Sequence, residues 1–328
     1  MEVLPDFKLH RPTSLAEALE ARGSVTSARY ISGGTDLMAN LRRGLSPTEN
    51  LIDLTGVVEL QRLEVSDQGL RIGAAVTLAT LAEHPDIQRD YPALAMAAHE
   101  VAGPTHREVA TIGGNICLDT RCFFYNQSQW WRDSNDGCMK YEGTICHVVP
   151  TSKRCYAAYS GDVAPALLVL GAEVEIAGPQ GARRMPLADL FNDDGIDYLT
   201  LAEGELVTAV HIPAGSGTHS AYAKLRVRGS IDFPLAGIAL NLAVVDGKIS
   251  ALQAAVTGTT SIPVAISGLG DFVGSDFDDD DLDAFAKLVQ KQIAPLHTTT
   301  TQPQYRRRAV TAMARRLARE LKETAAGA

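Results

Sequence analysis

All five cysteines of this chain lie within one stretch of the sequence: Cys117, Cys122, Cys138, Cys146 and Cys155. Beginning at Cys122, four of them follow the spacing C-x15-C-x7-C-x8-C. Four thiolates suit a zinc ion or an iron–sulfur cluster. Metal–ligand bonds can also order a segment that has no core of its own. We therefore expect Cys122, Cys138, Cys146 and Cys155 to bind one metal centre.

The spacing by itself leaves the nature of that centre open. Structural zinc sites usually contain close C-x2–4-C pairs, and these four cysteines contain none. A zinc ion, an iron–sulfur cluster and reduced thiols without a ligand are all compatible with the pattern. Cys117, which follows Asn115 closely, is expected to be a small packed residue instead. His147 is expected to bond to a neighbouring group, although it is also a possible ligand.

Two glycine-rich turns form a second candidate site, at residues 31–36 (Ile-Ser-Gly-Gly-Thr-Asp) and 111–115 (Thr-Ile-Gly-Gly-Asn). Glycine permits positive φ and close approach of a ligand. Successive N–H groups in such turns form concave sites for anions, including a diphosphate. Neither turn fits the G-x-G-x-x-G fingerprint, and we expect no strand–turn–helix frame around either one. Each turn alone is equally compatible with a purely structural role.

The segments that must position these residues predict an α+β chain. Helices are predicted from a capped start at Ser14, and over 77–84, 93–101, 164–170, 285–293 and 309–321. Strands are predicted over 28–31, 50–54, 70–74, 173–176, and in a hairpin of 236–245 and 248–256. The hairpin turn is Asp246-Gly247, which suits a type I′ turn. Residues 121–160 show no periodicity, so something else must order them.

Two charged runs near the end of the chain are interpreted as structural features and not as parts of a functional site. The acidic run 278–281 is expected to begin a helix, where the helix dipole favours negative charge. The three arginines at 306–308 are expected on a solvated helix surface or at a subunit contact.

The composition of the 328-residue chain argues against several classes of protein. A net charge of -9 and a pI of about 5.4 disfavour a nucleic-acid partner. The sequence shows no secretory signal and no run of apolar residues long enough for a membrane helix. We therefore expect a soluble cytoplasmic protein. No G-x-S-x-G, H-E-x-x-H or acid–base constellation is present, so no catalytic residue is expected.

Four segments carry a resemblance to a known family: 28–37, 103–115, 160–172 and 221–224. They resemble the flavin-binding subunits of the xanthine dehydrogenase and carbon monoxide dehydrogenase family. The resemblance implies a two-subdomain FAD-binding domain at 1–215 and a C-terminal α+β flavoprotein domain at 216–328. It implies that the two glycine turns hold the FAD diphosphate. The implied FAD-binding residues are Arg29, Tyr30, Ile31, Ser32, Gly33, Gly34, Thr35, Asp36, Thr111, Ile112, Gly113, Gly114, Asn115, Asp162 and Lys224.

Members of that family usually run almost directly from the second glycine motif to the helix that carries the aspartate. Here the cysteine-rich segment 121–160 intervenes, and it is similar to the insert of the 4-hydroxybenzoyl-CoA reductase branch. That similarity implies a [4Fe–4S] cluster on Cys122, Cys138, Cys146 and Cys155. It further implies a molybdenum-cofactor subunit and a [2Fe–2S] subunit as partners, and a low-potential donor such as ferredoxin.

The implied reaction is the reductive dehydroxylation of 4-hydroxybenzoyl-CoA to benzoyl-CoA, with the substrate bound on another subunit. Three alternatives remain. One is the flavin subunit of an ordinary molybdenum hydroxylase that passes electrons to NAD or another acceptor. The others are a stand-alone flavin reductase and a zinc-stabilised interaction module without a redox role.

Overall fold

The computed structural model describes residues 4–215 and 219–326. Its strands are β1 (Lys8–His10), β2 (Ala28–Ile31), β3 (Asn50–Asp53), β4 (Leu63–Ser66), β5 (Gly69–Gly73), β6 (Glu173–Gly178), β7 (Gly181–Pro186), β8 (Leu206–Pro213), β9 (Ser220–Leu225), β10 (Ala236–Val245), β11 (Lys248–Thr257) and β12 (Val264–Ala265). Its α-helices are α1 (Leu15–Gly23), α2 (Leu37–Arg42), α3 (Leu78–Glu83), α4 (Pro85–Asp90), α5 (Pro92–Glu100), α6 (Pro104–Arg107), α7 (Ile112–Ile116), α8 (Gln129–Asp133), α9 (Val163–Val169), α10 (Asp279–Gln292) and α11 (Pro303–Ala326). This mixed content confirms the predicted α+β class.

The N-terminal subdomain is a small parallel sheet of order β1-β3-β2. Helix α1 begins after Ser14, whose side chain accepts a hydrogen bond from the N–H of Glu17, as predicted. The first glycine turn leaves β2 and leads directly into α2. The expectation that no strand–turn–helix frame surrounds this turn was therefore wrong. The frame depends on the parallel pairing of β2 with β3, which a local residue pattern does not reveal.

The second subdomain is built on a five-stranded sheet of order β4-β5-β8-β6-β7. Its strands pair antiparallel, and their apolar side chains form one core with α3, α4, α5 and α9. Leu94 of α5 and Leu167 of α9 are fully buried in that core. Because α9 also packs against β10 and β11, this core continues onto the C-terminal sheet.

The C-terminal part is a sheet of order β12-β11-β10-β9, covered by α10 and α11. Asp246 (φ 52°) and Gly247 (φ 77°) join β10 to β11, which fits the predicted type I′ turn. Asp278 caps α10 by accepting from the N–H groups of Asp280 and Asp281, as expected. Arg306 corrects the expectation of a solvated arginine run, because its side chain is fully buried and donates to carbonyl oxygens.

Residues 121–160 form a closed loop with a defined neck, which we call the insert. The N–H of Arg121 donates to the carbonyl of Ala158 and the N–H of Ala158 donates back, both at 2.7 Å. Above the neck, α8 is the one α-helix of the insert. The N–H of Phe123 donates to the carbonyl of Thr298 at 2.7 Å, so the insert rests on the C-terminal part of the chain.

The predicted boundary between residues 215 and 216 adjoins residues 216–218, which lie outside the described residues, and it stays a prediction. Within 4–215 and 219–326, no helix is long and apolar enough to span a membrane.

Candidate functional site

The first glycine turn packs against the segment that leads into the second one. A Cβ on Gly33 would lie 1.9 Å from the carbonyl oxygen of Val109, so no larger residue fits without moving that backbone. Gly34 has φ +68°, a left-handed conformation that glycine adopts without strain. The structure thus brings the two predicted turns together.

Several polar groups of the first turn have no partner within the described part of the chain. The Ser32 hydroxyl is buried without a hydrogen bond. The N–H groups of Gly33, Gly34 and Thr35 also donate to no described acceptor. Because buried polar groups in proteins are nearly always satisfied, the Ser32 hydroxyl is expected to meet a ligand, and the N–H groups beside it suit an anion such as a diphosphate.

Asp36 at the end of this turn is held by a buried arginine. Arg121 forms an ion pair with Asp36 and donates from Nη1 to Oδ1 of Asn40 at 3.0 Å. Its guanidinium lies 4.8 Å from the ring centroid of Phe233. Burial lowers the pKa of Arg121 to about 10. This arginine therefore joins the neck of the insert to the first glycine turn and to the C-terminal part.

The second glycine turn has a different geometry. It is the start of helix α7, with Thr111 as the N-cap. The N–H groups of Ile112 and Gly113 donate to carbonyls of the 74–76 segment, and those of Gly114 and Asn115 donate to Thr111. Its N–H groups are thus satisfied within the protein, unlike those of the first turn. A Cβ on Gly113 would lie 2.8 Å from that of Ala74, so glycine here permits close packing.

Asn115 connects the second turn to Asp162. Its Oδ1 accepts from the N–H of Val163, the first residue of α9, at 3.1 Å. Asp162 accepts from the hydroxyl of Tyr222 at 2.7 Å and from Nζ of Lys224 at 3.0 Å. Burial raises the pKa of Asp162 to about 6, opposed by Lys224. Since Lys224 also donates to the carbonyl of Glu100 at 2.9 Å, these polar groups are engaged with one another.

The remaining predicted FAD-binding residues lie along β2 and its turn. The Tyr30 hydroxyl donates to the carbonyl of Gly204 at 3.1 Å, and burial raises the pKa of Tyr30 to about 12. Ile31 packs beneath Gly34, whereas Arg29 and Thr35 are exposed.

The four predicted metal-binding cysteines line one pocket within the insert. All four are buried, and the cavity that they line has a volume of about 10 Å³. The other lining residues are Phe124, Tyr125, Met139, Lys140, His147, Val148 and Ala157. Cys117 lies outside the pocket, at the C-cap of α7. Nε2 of His147 lies 2.6 Å from the carbonyl oxygen of Gly137, which agrees with the expectation that it bonds to a neighbouring group.

The thiols of this pocket interact electrostatically. Burial raises the pKa of Cys122 to about 12 and that of Cys155 to about 11, and the neighbouring cysteines raise both further. Across the described ranges, however, no group of three or more His, Cys, Asp or Glu side chains is arranged to hold a metal ion. The cysteines share a pocket, but they do not converge on one point.

Two functional candidates within the insert were missed in the sequence, Arg121 and Lys140. Both are charged residues with side chains that are 9% and 7% exposed. The segment contains several other charged residues, so no signal in the sequence distinguished these two. Their partners lie in other segments of the chain.

Comparison with known proteins identifies the family. Residues 5–215 match the FAD binding domain in molybdopterin dehydrogenase. The chain belongs to this family. Residues 220–321 match the CO dehydrogenase flavoprotein C-terminal domain. The chain is therefore the FAD-binding subunit of a molybdenum hydroxylase-type oxidoreductase complex, and the unpartnered groups of the first glycine turn fit that cofactor.

Among the curated relatives, the chain is 36% identical over 243 residues to the aldehyde oxidoreductase FAD-binding subunit PaoB of Escherichia coli, covering 71% of this chain and 76% of the relative. It is 26% identical over 322 residues to a putative xanthine dehydrogenase FAD-binding subunit of the same organism, covering 97% of each. A crystal structure of a Cu,Mo-CO dehydrogenase superposes with a TM-score of 0.81 at 24% identity, covering 98% of this chain and 99% of that one, which shows a shared fold.

Proposed function

We propose that this chain carries a [4Fe–4S] cluster in addition to FAD and passes electrons between the two. The observation that supports the proposal is the buried pocket lined by Cys122, Cys138, Cys146 and Cys155. Four thiolates are the usual ligand set of such a cluster. The only α-helix of the insert is short, and the small apolar core there includes Cys122, Cys138 and Cys155.

A cluster accounts for the arrangement of the thiols better than a zinc ion does. A tetrahedral zinc ion needs four sulfur atoms within about 2.3 Å of one point. No such convergence exists among the described residues. In a [4Fe–4S] cluster each thiolate binds a different iron, so the sulfur atoms stand farther apart around a wider space. We therefore favour a cluster over a zinc ion as the centre that these four thiolates bind.

As the reaction of the whole complex, we propose reductive removal of the phenolic hydroxyl of 4-hydroxybenzoyl-CoA. The step consumes two electrons and two protons and releases water and benzoyl-CoA. A low-potential donor such as ferredoxin would supply the electrons, and partner subunits with [2Fe–2S] clusters and the molybdenum cofactor would receive them. The proposal is supported by the cysteine-rich insert, because iron–sulfur potentials reach about −700 mV and can supply strongly reducing single electrons.

A second candidate is an oxidising complex in which electrons leave through this chain to NAD or another acceptor. It is favoured by the 36% identity to an aldehyde oxidoreductase subunit. A stand-alone flavin reductase has less support, since the relatives are named as subunits or chains of larger enzymes. Membership of the FAD-binding family also disfavours a zinc module without a redox role.

The cluster is tested by replacing single cysteines. Cys138→Ser should lose about four iron atoms per chain while FAD stays bound, because a cubane needs all of its thiolates. Cys117→Ser is the matched control, since Cys117 lies outside the pocket, and it should keep both cofactors. Loss of iron from Cys117→Ser but not from Cys138→Ser would make the ligand assignment wrong.

The direction of electron flow is tested in the assembled complex. A Cys146→Ala complex that retains FAD should lose ferredoxin-driven reduction of 4-hydroxybenzoyl-CoA. Undiminished turnover would remove the cluster from the path. Wild-type complex that oxidises aldehydes but does not reduce 4-hydroxybenzoyl-CoA would favour the second candidate.

A further inference from the structure

Lys140 is a buried lysine of the insert, and its ammonium group contacts several polar groups at once. Its Nζ lies 2.6 Å from Oδ1 of Asp119, 2.5 Å from the hydroxyl oxygen of Thr120 and 2.7 Å from the carbonyl oxygen of Gly195. The ring centroids of Tyr125 and Tyr198 are 4.9 and 5.4 Å away. A buried ammonium group with this many partners is fixed in place.

This lysine faces the cysteine pocket, whereas its counter-charge does not. Lys140 is among the residues that line the pocket, and Asp119 is not. Lys140 is therefore the member of this pair that borders the pocket.

The contact of Lys140 with Gly195 also connects it to the backbone of Cys155. Gly195, which accepts from Lys140, donates from its N–H to the carbonyl of Cys155 at 2.9 Å. A Cβ on Gly195 would lie 2.9 Å from Sγ of Cys155, so the backbone of Gly195 packs closely against that side chain.

The other partners of Lys140 connect it to the flavin side of the molecule. Asp119 and Thr120 follow α7, the helix that starts at the second glycine turn. The Tyr198 hydroxyl donates to the carbonyl of Cys117 at the C-cap of that helix, at 3.3 Å. Lys140 thus contacts the segments that join the cysteine pocket to the glycine-turn region.

We propose that Lys140 is a positioning residue that fixes the pocket against the flavin-binding segments and whose charge raises the reduction potential of the centre in the pocket. The inference rests on the proposed cluster. A cluster held by four thiolates is net negative and gains a further negative charge on reduction. A nearby cation in a low-dielectric interior stabilises the reduced form more than the oxidised form.

The charge of Lys140 and that of Asp119 should act in opposite directions, which provides the test. Midpoint potentials of cluster and flavin are measured by redox titration of the purified protein, followed by electron paramagnetic resonance and visible absorption. Lys140→Met should lower the cluster potential, and Asp119→Asn should raise it. Lys140→Arg should keep it close to the wild-type value. Lys153→Met, which removes an exposed lysine of the insert, is the matched control and should not change it.

The results of these titrations can contradict the proposed role of Lys140 in the following ways. An unchanged cluster potential in Lys140→Met or Asp119→Asn would overturn it. If both variants lose the cluster while Lys140→Arg and Lys153→Met retain it, Lys140 has only a structural role and the potential-setting claim is wrong. The iron content of the wild-type protein is measured before any variant is compared. Wild-type protein without iron would refute the proposed cluster itself.

Discussion

At the scale of single residues, Asp162 and Lys224 form a buried ion pair between the FAD-binding part and the C-terminal sheet. The two side chains are 4% and 1% exposed. Lys224→Met should lower the free energy of unfolding by about 3–5 kcal/mol, because it leaves an unpaired buried carboxylate. Denaturant unfolding of the purified chain measures this loss. Lys224→Met combined with Asp162→Asn should recover part of it.

The control for this prediction is an exposed ion pair on a nearby loop. Arg228 is 66% exposed and pairs with Asp232. Arg228→Met should cost less than about 1 kcal/mol, because solvent screens such pairs. Equal losses in Lys224→Met and Arg228→Met would contradict the importance of the buried pair.

Gly33 gives the second prediction at this scale. The methyl group of Gly33→Ala would meet the carbonyl oxygen of Val109 and force the first glycine turn away from the segment before the second. FAD should then bind at least about tenfold more weakly, equal to 1.4 kcal/mol. Gly23→Ala has open space around its Cβ and should bind FAD normally. Titration of the flavin-free protein with FAD, followed by flavin fluorescence, distinguishes the two variants.

At the scale of elements, the insert is expected to depend on the proposed metal centre for its order. Its core contains three of the four pocket cysteines, whereas the larger sheets of the molecule have separate hydrophobic cores. Removal of the centre should therefore accelerate amide hydrogen exchange in residues 122–157 and leave β10 and β11 protected. Exchange in the insert that is equally slow with and without iron would mean that protein packing alone orders it.

Elements with strong local signals were predictable from the sequence. Ser14 marks the start of α1, and Asp246-Gly247 marks the hairpin between β10 and β11. The strand–turn–helix frame at the first glycine turn was missed because it depends on strand pairing. The contact of Asp162 with Lys224 likewise joins residues far apart in sequence. For the same reason, the sequence did not show that the N–H groups of the second glycine turn are satisfied internally.

At the scale of the whole molecule, the insert contacts each major part of the chain. Arg132 of α8 donates to the carbonyl of Arg43 beyond α2, at 2.9 Å. Arg121 reaches the first glycine turn and the ring of Phe233, and Phe123 bonds to Thr298. A redox centre in the insert would therefore be mechanically coupled to the flavin-binding segments and to the C-terminal part.

The most direct test of the central claim is a cofactor analysis of the purified wild-type chain, prepared without oxygen. Iron, acid-labile sulfide, zinc and FAD are measured per chain, together with the electron paramagnetic resonance spectrum after reduction. We expect one FAD, about four iron and about four sulfide per chain, and the signal of a reduced [4Fe–4S] cluster. FAD with zinc, or FAD with neither metal, would contradict the proposed electron-transfer role of the insert.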